Sequence, residues 1–492
     1  MNKNLAALAP QLVWKHFQDL CQIPHPSFHE EAIRAHIIAF AKEQGLEVME
    51  DEAHNVLVRK PATEGMEDRK GIVLQAHVDM VPQKNGDKVF DFEKDAIEAY
   101  IDGDWVTANG TTLGSDNGIG VASIMAVLES KDIKHGAIEA LFTATEESGM
   151  HGAFGLKGGL LKGDILLNLD SETEGELYVG CAGGLDASTT FEYKAEATPA
   201  EGYRAAEITI KGLKGGHSGI EIILQRANAN KLMFRLINAV KKQQELLLCS
   251  VDGGGLRNAI PREAKATVMV EAAKWDEFQK VVADYVDMVV AEFSGIEDSI
   301  QIKAEEVAVP AEMIEKAVAE KLVKAVVACP DGMQSMSQSM KGLVQTSTNL
   351  ARIVSDGSTV KLHCLLRSSV NSEKADLGDA ISSVFELAGA EVKLSGGYDG
   401  WKPNMASPIL KAMTESYEAL YGVTPRVVGI HAGLECGIIG GPYPNLDMIS
   451  FGPTICYPHS PDEKVEIASV AKFWDFLCHT LGNAPRKYLN NS

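Results

Sequence analysis

Residues 71–80 read GIVLQAHVDM, an apolar run that stops on a histidine and an aspartate. Apolar residues on both parities of a run indicate a strand buried on both faces, as in parallel sheets covered by helices. Two runs of the same kind follow, IEALFTATEE at 138–147 and DILLNLD at 164–170, and NVLVRK at 55–60 precedes them. Helical patterns lie around and between these runs, from Pro10 to Gly45 with a break at Pro24-His25-Pro26-Ser27, and from about Gly120 to Glu129. The alternation predicts an α/β fold, a mixed sheet covered by helices. Sites in such sheets gather in the loops beyond the carboxyl ends of the strands.

Around Cys181-Ala-Gly-Gly-Leu the style changes. Residues 186–397 read as alternating strands with long helices at about 227–245, 275–294, 311–328 and 374–388, and the α/β style resumes near Trp401. This predicts a catalytic-type domain of residues 1–185 plus 398–492, interrupted by an inserted α+β domain of residues 186–397. Within the insert, RNAIPREAKATVMVEA leads into one helix and then SIQIKAEEV. TNLARIVSDGSTVKLHCLLRSS leads into another and then EVKLSGG. Each unit gives strand, strand, helix, strand, so the insert is expected to hold two similar halves.

The chain has 492 residues and a formal charge of −22, which argues against a nucleic-acid partner because phosphate contacts need a basic face. Its eight cysteines show no C-x-x-C spacing, so reduced thiols are expected rather than disulfides or a thiolate metal site. The N-terminus lacks a secretory pattern and no stretch reaches eighteen apolar residues, which predicts a cytoplasmic protein with no membrane partner.

Several polar residues end separate apolar runs. On a strand Asp79 shares a face with His77, where its carboxylate can hold the imidazole in one tautomer. Asp116 lies in TTLGSDNGIG, either as a helix cap or as a carboxylate exposed at a turn and free to bridge cations. Glu146 and Glu147 are paired at one run's end, Asp170 closes another where an unpaired acid would be costly, and His459 sits in CYPHSPDE. Singly each has a plain structural reading. Together, two imidazoles and several carboxylates suit Zn²⁺, with Mn²⁺ or Co²⁺ as substitutes.

LCQIPHPSFHEE, GIVLQAHVDMVPQKN, ANGTTLGSDNGIGVA, TATEESGMHGAFGL, LLNLDSE, GGHSG, HAGLECG and PHSPDE occur in this order along the chain. In them the sequence resembles the M20 metallopeptidase family, and within it the aminoacyl-histidine dipeptidase branch. The resemblance implies two zinc ions per subunit, one held by His77 and Asp170, the other by Glu147 and His459, with Asp116 bridging. It implies Glu146 as general base, Asp79 as the partner of His77, and a cis peptide between Asp116 and Asn117. It further implies that His217 of KGGHSGIE faces the oxyanion and that the inserted domain acts as a lid or dimerisation domain. A dipeptidase must hold a free carboxylate, for which a forked Arg is suited. Arg367, closing KLHCLLR, leads, with Asn258 of LRNAIP second and Arg226, Arg257 and Arg262 in competition. Gly433 and Glu435 of HAGLECG are expected at the substrate pocket, with His431 near them. The activity implied is hydrolysis of small dipeptides, including Xaa-His, by a monomer or homodimer. The alternatives are an N-acyl amino acid amidohydrolase of the same plan and a non-catalytic metal-binding relative. The latter is disfavoured because every matched catalytic position is filled.

Overall fold

The computed structural model describes residues 3–487. It divides into two compact units: the first runs to Gly180 and takes in Pro403–Gly429 and the chain from Leu434 onward, and the second comprises Cys181–Lys402 with Ile430–Gly433. The divisions fall just outside the expected 185/186 and 397/398. The reason is local: Cys181 and Trp401 exchange backbone hydrogen bonds of 3.0 and 2.9 Å, which ties the two crossings together before the second unit's first strand begins.

In the first unit an eight-stranded sheet has the order Glu47–Glu50, Val56–Lys60, Ile138–Thr143, Ile72–His77, Ile165–Asn168, Asp447–Ser450, Glu176–Cys181, Arg426–Ile430. The four strands from Ile138–Thr143 to Asp447–Ser450 run parallel, and antiparallel neighbours flank them, so the sheet is mixed. Ile72–His77 and Ile138–Thr143 are buried at every position, which explains why both faces of those runs are apolar. Helix Ser115–Glu129 is buried over Ser115–Leu128 and packs on strand Ile72–His77 and on helix Gln11–Cys21. Helix Pro408–Tyr421 packs on Asp447–Ser450 and on helix Ile467–Gly482. Phe142 is fully buried in the central strand. Phe142→Ala should therefore cost about 3–5 kcal/mol of stability in chemical denaturation, since a cavity adds to the lost transfer energy; a change below 1 kcal/mol or so would mean that the surrounding core collapses to fill it.

Three features differ from the sequence reading. Helix Ser115–Glu129 begins earlier than Gly120, with non-helical backbone at Asp116 and Asn117 in its first turn. Asp116 therefore sits within the helix's first turn, and Gly114 takes the cap position. His459 lies in a hairpin loop, between Ile455–Cys456 and Lys464–Glu466 of a separate four-stranded sheet that continues to Trp105–Ala108 and Ala99–Asp102.

The second unit's main sheet runs Gln301–Val307, Tyr203–Lys211, Ala264–Glu271, Leu246–Gly254, Val344–Ser355, Thr359–Ser368, Gly183–Glu192, Glu391–Tyr398, with Gly332–Met336 paired to Val344–Ser355. From either edge inward the chain order is the same. The inner half reads Tyr203–Lys211, helix Ala229–Lys241, Leu246–Gly254, Ala264–Glu271, helix Trp275–Glu292, Gln301–Val307. The outer half reads Gly183–Glu192, helix Lys316–Ala328, Val344–Ser355, Thr359–Ser368, helix Asn371–Leu387, Glu391–Tyr398. Each half has one strand and one helix more than the repeat seen in the sequence, because the inner half is inserted between the first strand and first helix of the outer one. The halves meet where Asp252–Gly254 pairs antiparallel with Arg352–Val354. All eight cysteines carry free thiols. Among the described residues no helix is long and apolar enough to cross a membrane.

Candidate metal centre

The parallel strands of the first unit end close together, His77 opposite Thr143 and Asn168 opposite Gln75, so the segments that follow them emerge side by side. His77 is the last residue of one strand, Glu146 and Glu147 follow Ile138–Thr143, and Asp170 follows Ile165–Asn168. Asp116 comes in from the helix start and His459 from the hairpin loop. The Nε2 of His77 lies 3.0 Å from Asp116 Oδ1 and 3.3 Å from Asp170 Oδ1. The Nε2 of His459 lies 3.2 Å from Asp116 Oδ2 and 3.0 Å from Glu147 Oε2. Asp116 thus turns one oxygen to each histidine. Its side chain does not cap the helix. The peptide bond between Asp116 and Asn117 is cis, as expected.

Asp79 does more than orient His77. The Nδ1 of His77 is 3.0 Å from the Asp79 carbonyl oxygen and 3.2 Å from Asp79 Oδ1. The same carboxylate accepts hydrogen bonds from the backbone N–H of Glu146 (2.9 Å), the N–H of Glu147 (3.1 Å) and the Ser27 hydroxyl (2.7 Å). One buried side chain therefore fixes both a histidine and the acid pair. Just before that pair Thr145 adopts a left-handed φ of 51°, and its N–H and hydroxyl donate to Glu30 Oε1 at 2.8 and 2.6 Å. A non-glycine residue holds such a conformation where its surroundings over-determine it. Ser27 and Glu30 come from LCQIPHPSFHEE, a stretch whose spacing alone gave them no role.

Two triads offer ligand atoms within 4.8 Å of one another and share only Asp116: His77, Asp116 and Asp170, and Asp116, Glu147 and His459. A third, His77, Glu146 and Glu147, would draw Glu146 in as a ligand. Glu146 Oε2 stands 4.0 Å from His77 Nε2, farther out than Asp116 and Asp170. The electrostatics of the cluster favour a cation. Burial, opposed in part by His77, pushes the carboxyls of Glu146 and Asp170 well up, and repulsion between neighbouring acids adds to it. Burial raises Glu147 as well, whereas the two histidines hold Asp116 low against its burial. His459 is pushed up to about 11 by its bonds to Asp116 and Glu147. Asp170 Oδ1 is buried and makes no hydrogen bond. Crowded acids with an unsatisfied buried oxygen and imidazoles alongside fit divalent cations, and the oxygen–nitrogen donor set suits Zn²⁺, Mn²⁺ or Co²⁺.

Two further acids lie beneath the site. Glu435, expected at the substrate pocket, is only 2% exposed, and its Oε2 accepts from Gln75 Nε2 at 2.6 Å and from Thr143 at 3.1 Å. It is anchored to the sheet rather than open to solvent. Glu463 is buried against the loop that carries Asp116, accepting the N–H groups of Leu113, Gly114, Ser115 and Asp116. The sequence showed only an acid pair, Asp462-Glu463, with no sign of which one turns inward.

His217, Asn258, Arg367 and Gly433 belong to the second unit. The Nδ1 of His217 accepts from the N–H groups of Gly219 and Ile220, each at 3.1 Å, so a neutral ring carries its proton on Nε2. Burial and the Arg367 charge lower its pKa and favour that neutral form. A Cβ on Gly219 would meet His217 Cε1 at 3.0 Å and Arg367 Nε at 3.1 Å, so the two side chains converge on this glycine. Arg367 is buried, bonds Tyr398, and leaves Nε without a hydrogen bond. Gly433 packs on Tyr398, whose hydroxyl oxygen is 3.0 Å from where a Cβ would stand. Asn258 is exposed, and its carbonyl oxygen accepts from Ser218 N–H at 2.8 Å. The competing arginines have local partners: Arg226 bonds the Gly215 carbonyl, Arg262 the Leu213 carbonyl, and Arg257 pairs with Asp186.

His431, with Nε2 2.7 Å from Ser347 Oγ, is pushed down to about 3 by burial, aided by Arg367. An unfolded histidine takes up its proton near pH 6.5, so the stability from burying it neutral is full above about 6.5 and is lost as pH falls toward the folded value. His431→Asn should flatten the fall of the thermal midpoint between about pH 6.5 and about pH 4. An unchanged slope would refute it.

Clustered carboxylates and imidazoles able to hold a cation are the kind of site that metal-dependent hydrolases use. The model of the peptidase family M20/M25/M40 matches residues 73–483, and the chain belongs to that family. It is a metallopeptidase, an enzyme acting on peptide bonds. Over 483 residues it is 47% identical to the cytosol non-specific dipeptidase of Escherichia coli, covering 98% of this chain and 99% of that one. Among solved structures, the aminoacylhistidine dipeptidase of Vibrio alginolyticus superposes with a TM-score of 0.95 at 50% identity, covering 99% of each chain. An aminopeptidase from Bacillus cereus shares the fold with a TM-score of 0.57 at 16% identity, covering 97% of this chain and 99% of its own.

Proposed function

We propose that the chain is a cytoplasmic dipeptidase that works with two Zn²⁺ ions, one held by His77 and Asp170, the other by Glu147 and His459, with Asp116 between them. The observation that carries the reading is Asp116, whose two oxygens face two different histidines. The substrate class rests on the full-length relatives, named as dipeptidases. Bound there, the cations would polarise the scissile carbonyl and acidify water. Glu146, held by its backbone to Asp79, takes a proton from the attacking water and passes it to the leaving amine. Burial and neighbouring acids raise its pKa, which suits a base that must also give its proton back. Asp79 keeps His77 in the tautomer that presents Nε2.

The second unit supplies recognition in this reading. His217, with its proton on Nε2, donates to the developing oxyanion, and Arg367 takes the dipeptide's terminal carboxylate, with Asn258 and Gly433 beside the substrate backbone. In this reading the chain works as a monomer or homodimer. A substrate panel on metal-loaded enzyme tests the reading. Xaa-His and other dipeptides should turn over, while N-acetyl amino acids and longer peptides should not. Faster turnover of N-acetyl amino acids would make the enzyme an amidohydrolase of the same family instead.

A further inference from the structure

Glu463 is absent from the chemistry above, yet among the described residues no other side chain near the centre is so heavily bonded. Its Oε1 accepts the N–H of Leu113 at 2.9 Å and of Gly114 at 3.0 Å; its Oε2 accepts the N–H of Ser115 at 2.8 Å, the N–H of Asp116 at 3.2 Å, and the Ser115 hydroxyl. Four consecutive backbone donors at the start of helix Ser115–Glu129 thus end on one carboxylate from a distant segment. The N-cap residue Gly114, with φ 75°, has no side chain to satisfy them. A negative charge is favoured at a helix N-terminus.

Two facts connect this contact to the metal centre. The last of the four donors is the N–H of Asp116 itself, whose carboxylate faces both histidines. Glu463 also ends the hairpin loop that holds His459, and its carbonyl oxygen accepts the Thr107 hydroxyl at 2.8 Å, fastening that loop to the strand before Asp116. Two separate segments bring candidate ligands to one pocket, and a single buried side chain is bonded to both of them.

We infer that Glu463 is a positioning residue for the metal centre: its carboxylate locks the Asp116 turn to the His459 loop and so sets the spacing on which the cation held by Asp116, Glu147 and His459 depends. The inference rests on the metal centre proposed above. Glutamine has the same shape but can accept on one oxygen only. In Glu463→Gln an NH₂ group must face either the Leu113–Gly114 pair or the Ser115–Asp116 set, and donor meets donor. The turn should shift without an altered ligand. Loss of such outer partners costs roughly 10–100-fold in metal affinity.

The test is titration of the metal-free full-length chain with cobalt(II), followed by calorimetry and visible absorption, for wild type, Glu463→Gln and Ser115→Ala. The thermal midpoint of each metal-free protein is measured alongside. Glu463→Gln should bind one of two cobalt equivalents about 10-fold or more weakly, with an altered visible band, and peptide hydrolysis should recover as metal is raised. Ser115→Ala, which removes one donor and leaves the backbone in place, should shift the same equivalent in the same direction by less. A Glu463→Gln protein with wild-type cobalt affinity and spectrum overturns the inference, even if its metal-free midpoint falls. Should that variant fail to fold, unchanged affinity and spectrum in Ser115→Ala overturn it equally. Wild-type chain that takes up no cobalt overturns the metal centre itself, and this inference with it.

Discussion

Glu146→Gln should lower kcat on a dipeptide by about 10²–10⁴-fold, the range general acid–base catalysis contributes, while metal content stays at the wild-type level. The separation of the two readouts follows from the geometry. Glu146 stands 4.0 Å from His77, whereas Asp116 and Asp170 stand 3.0 and 3.3 Å away, and the two triads that share Asp116 are complete without it. Its backbone N–H, not its carboxylate, is the part bonded to Asp79, so replacing the carboxylate leaves the loop anchored. The glutamine keeps the volume and a hydrogen-bonding oxygen but cannot take up a proton. A variant with full activity would remove Glu146 from the mechanism. One that lost metal along with activity would make it a ligand, as in the third triad.

Removing metal should have the larger effect. Chelated enzyme should show no turnover above background, and Zn²⁺, Mn²⁺ or Co²⁺ should restore it to different levels. Metal bound only by the folded chain stabilises it by about 4 kcal/mol at a thousand times its Kd, so the thermal midpoint should rise with metal. Asp116→Ala should lose more metal than any other ligand substitution, because it strips an oxygen from both triads at once, whereas Asp170→Ala or Glu147→Ala strips one. Measured metal per chain decides this. If Asp116→Ala retains as much metal as Asp170→Ala, the carboxylate is not shared.

How far the sequence could be read depended on the distance over which each residue acts. His77, Glu146, Glu147 and Asp170 were visible because each ends or follows a strand that is buried on both faces, and parallel strands bring those ends together as a matter of geometry. Asp116 and His459 stood out by residue type and by their turn and loop settings, and neither follows a strand of the main sheet: one lies in the first turn of a helix, the other in a hairpin loop. The supporting roles of three acids were not legible, although Glu435 had been expected at the substrate pocket. Glu30, Glu435 and Glu463 each act on a segment far along the chain, at Thr145, at Gln75 and Thr143, and at Leu113–Asp116. Nothing in their neighbours' periodicity separates them from solvated acids. The repeat in the second unit was only partly visible for a related reason. Insertion of one half into the other moved a strand and a helix away from the part they complete.

The strand order also constrains when the protein can fold during synthesis. Asp447–Ser450 lies inside the first unit's sheet, between Ile165–Asn168 and Glu176–Cys181. As the chain leaves the ribosome, that slot stays open until nearly everything else has been made. In the second unit Gly183–Glu192 waits similarly for both its neighbours, Thr359–Ser368 and Glu391–Tyr398, while the inner half already has all its strands by Val307. Long-range pairing of this sort is slow and leaves strand edges exposed to other chains. The inner half of the second unit should therefore be the first compact piece of the nascent chain, and the sheet that carries the proposed ligands among the last to close.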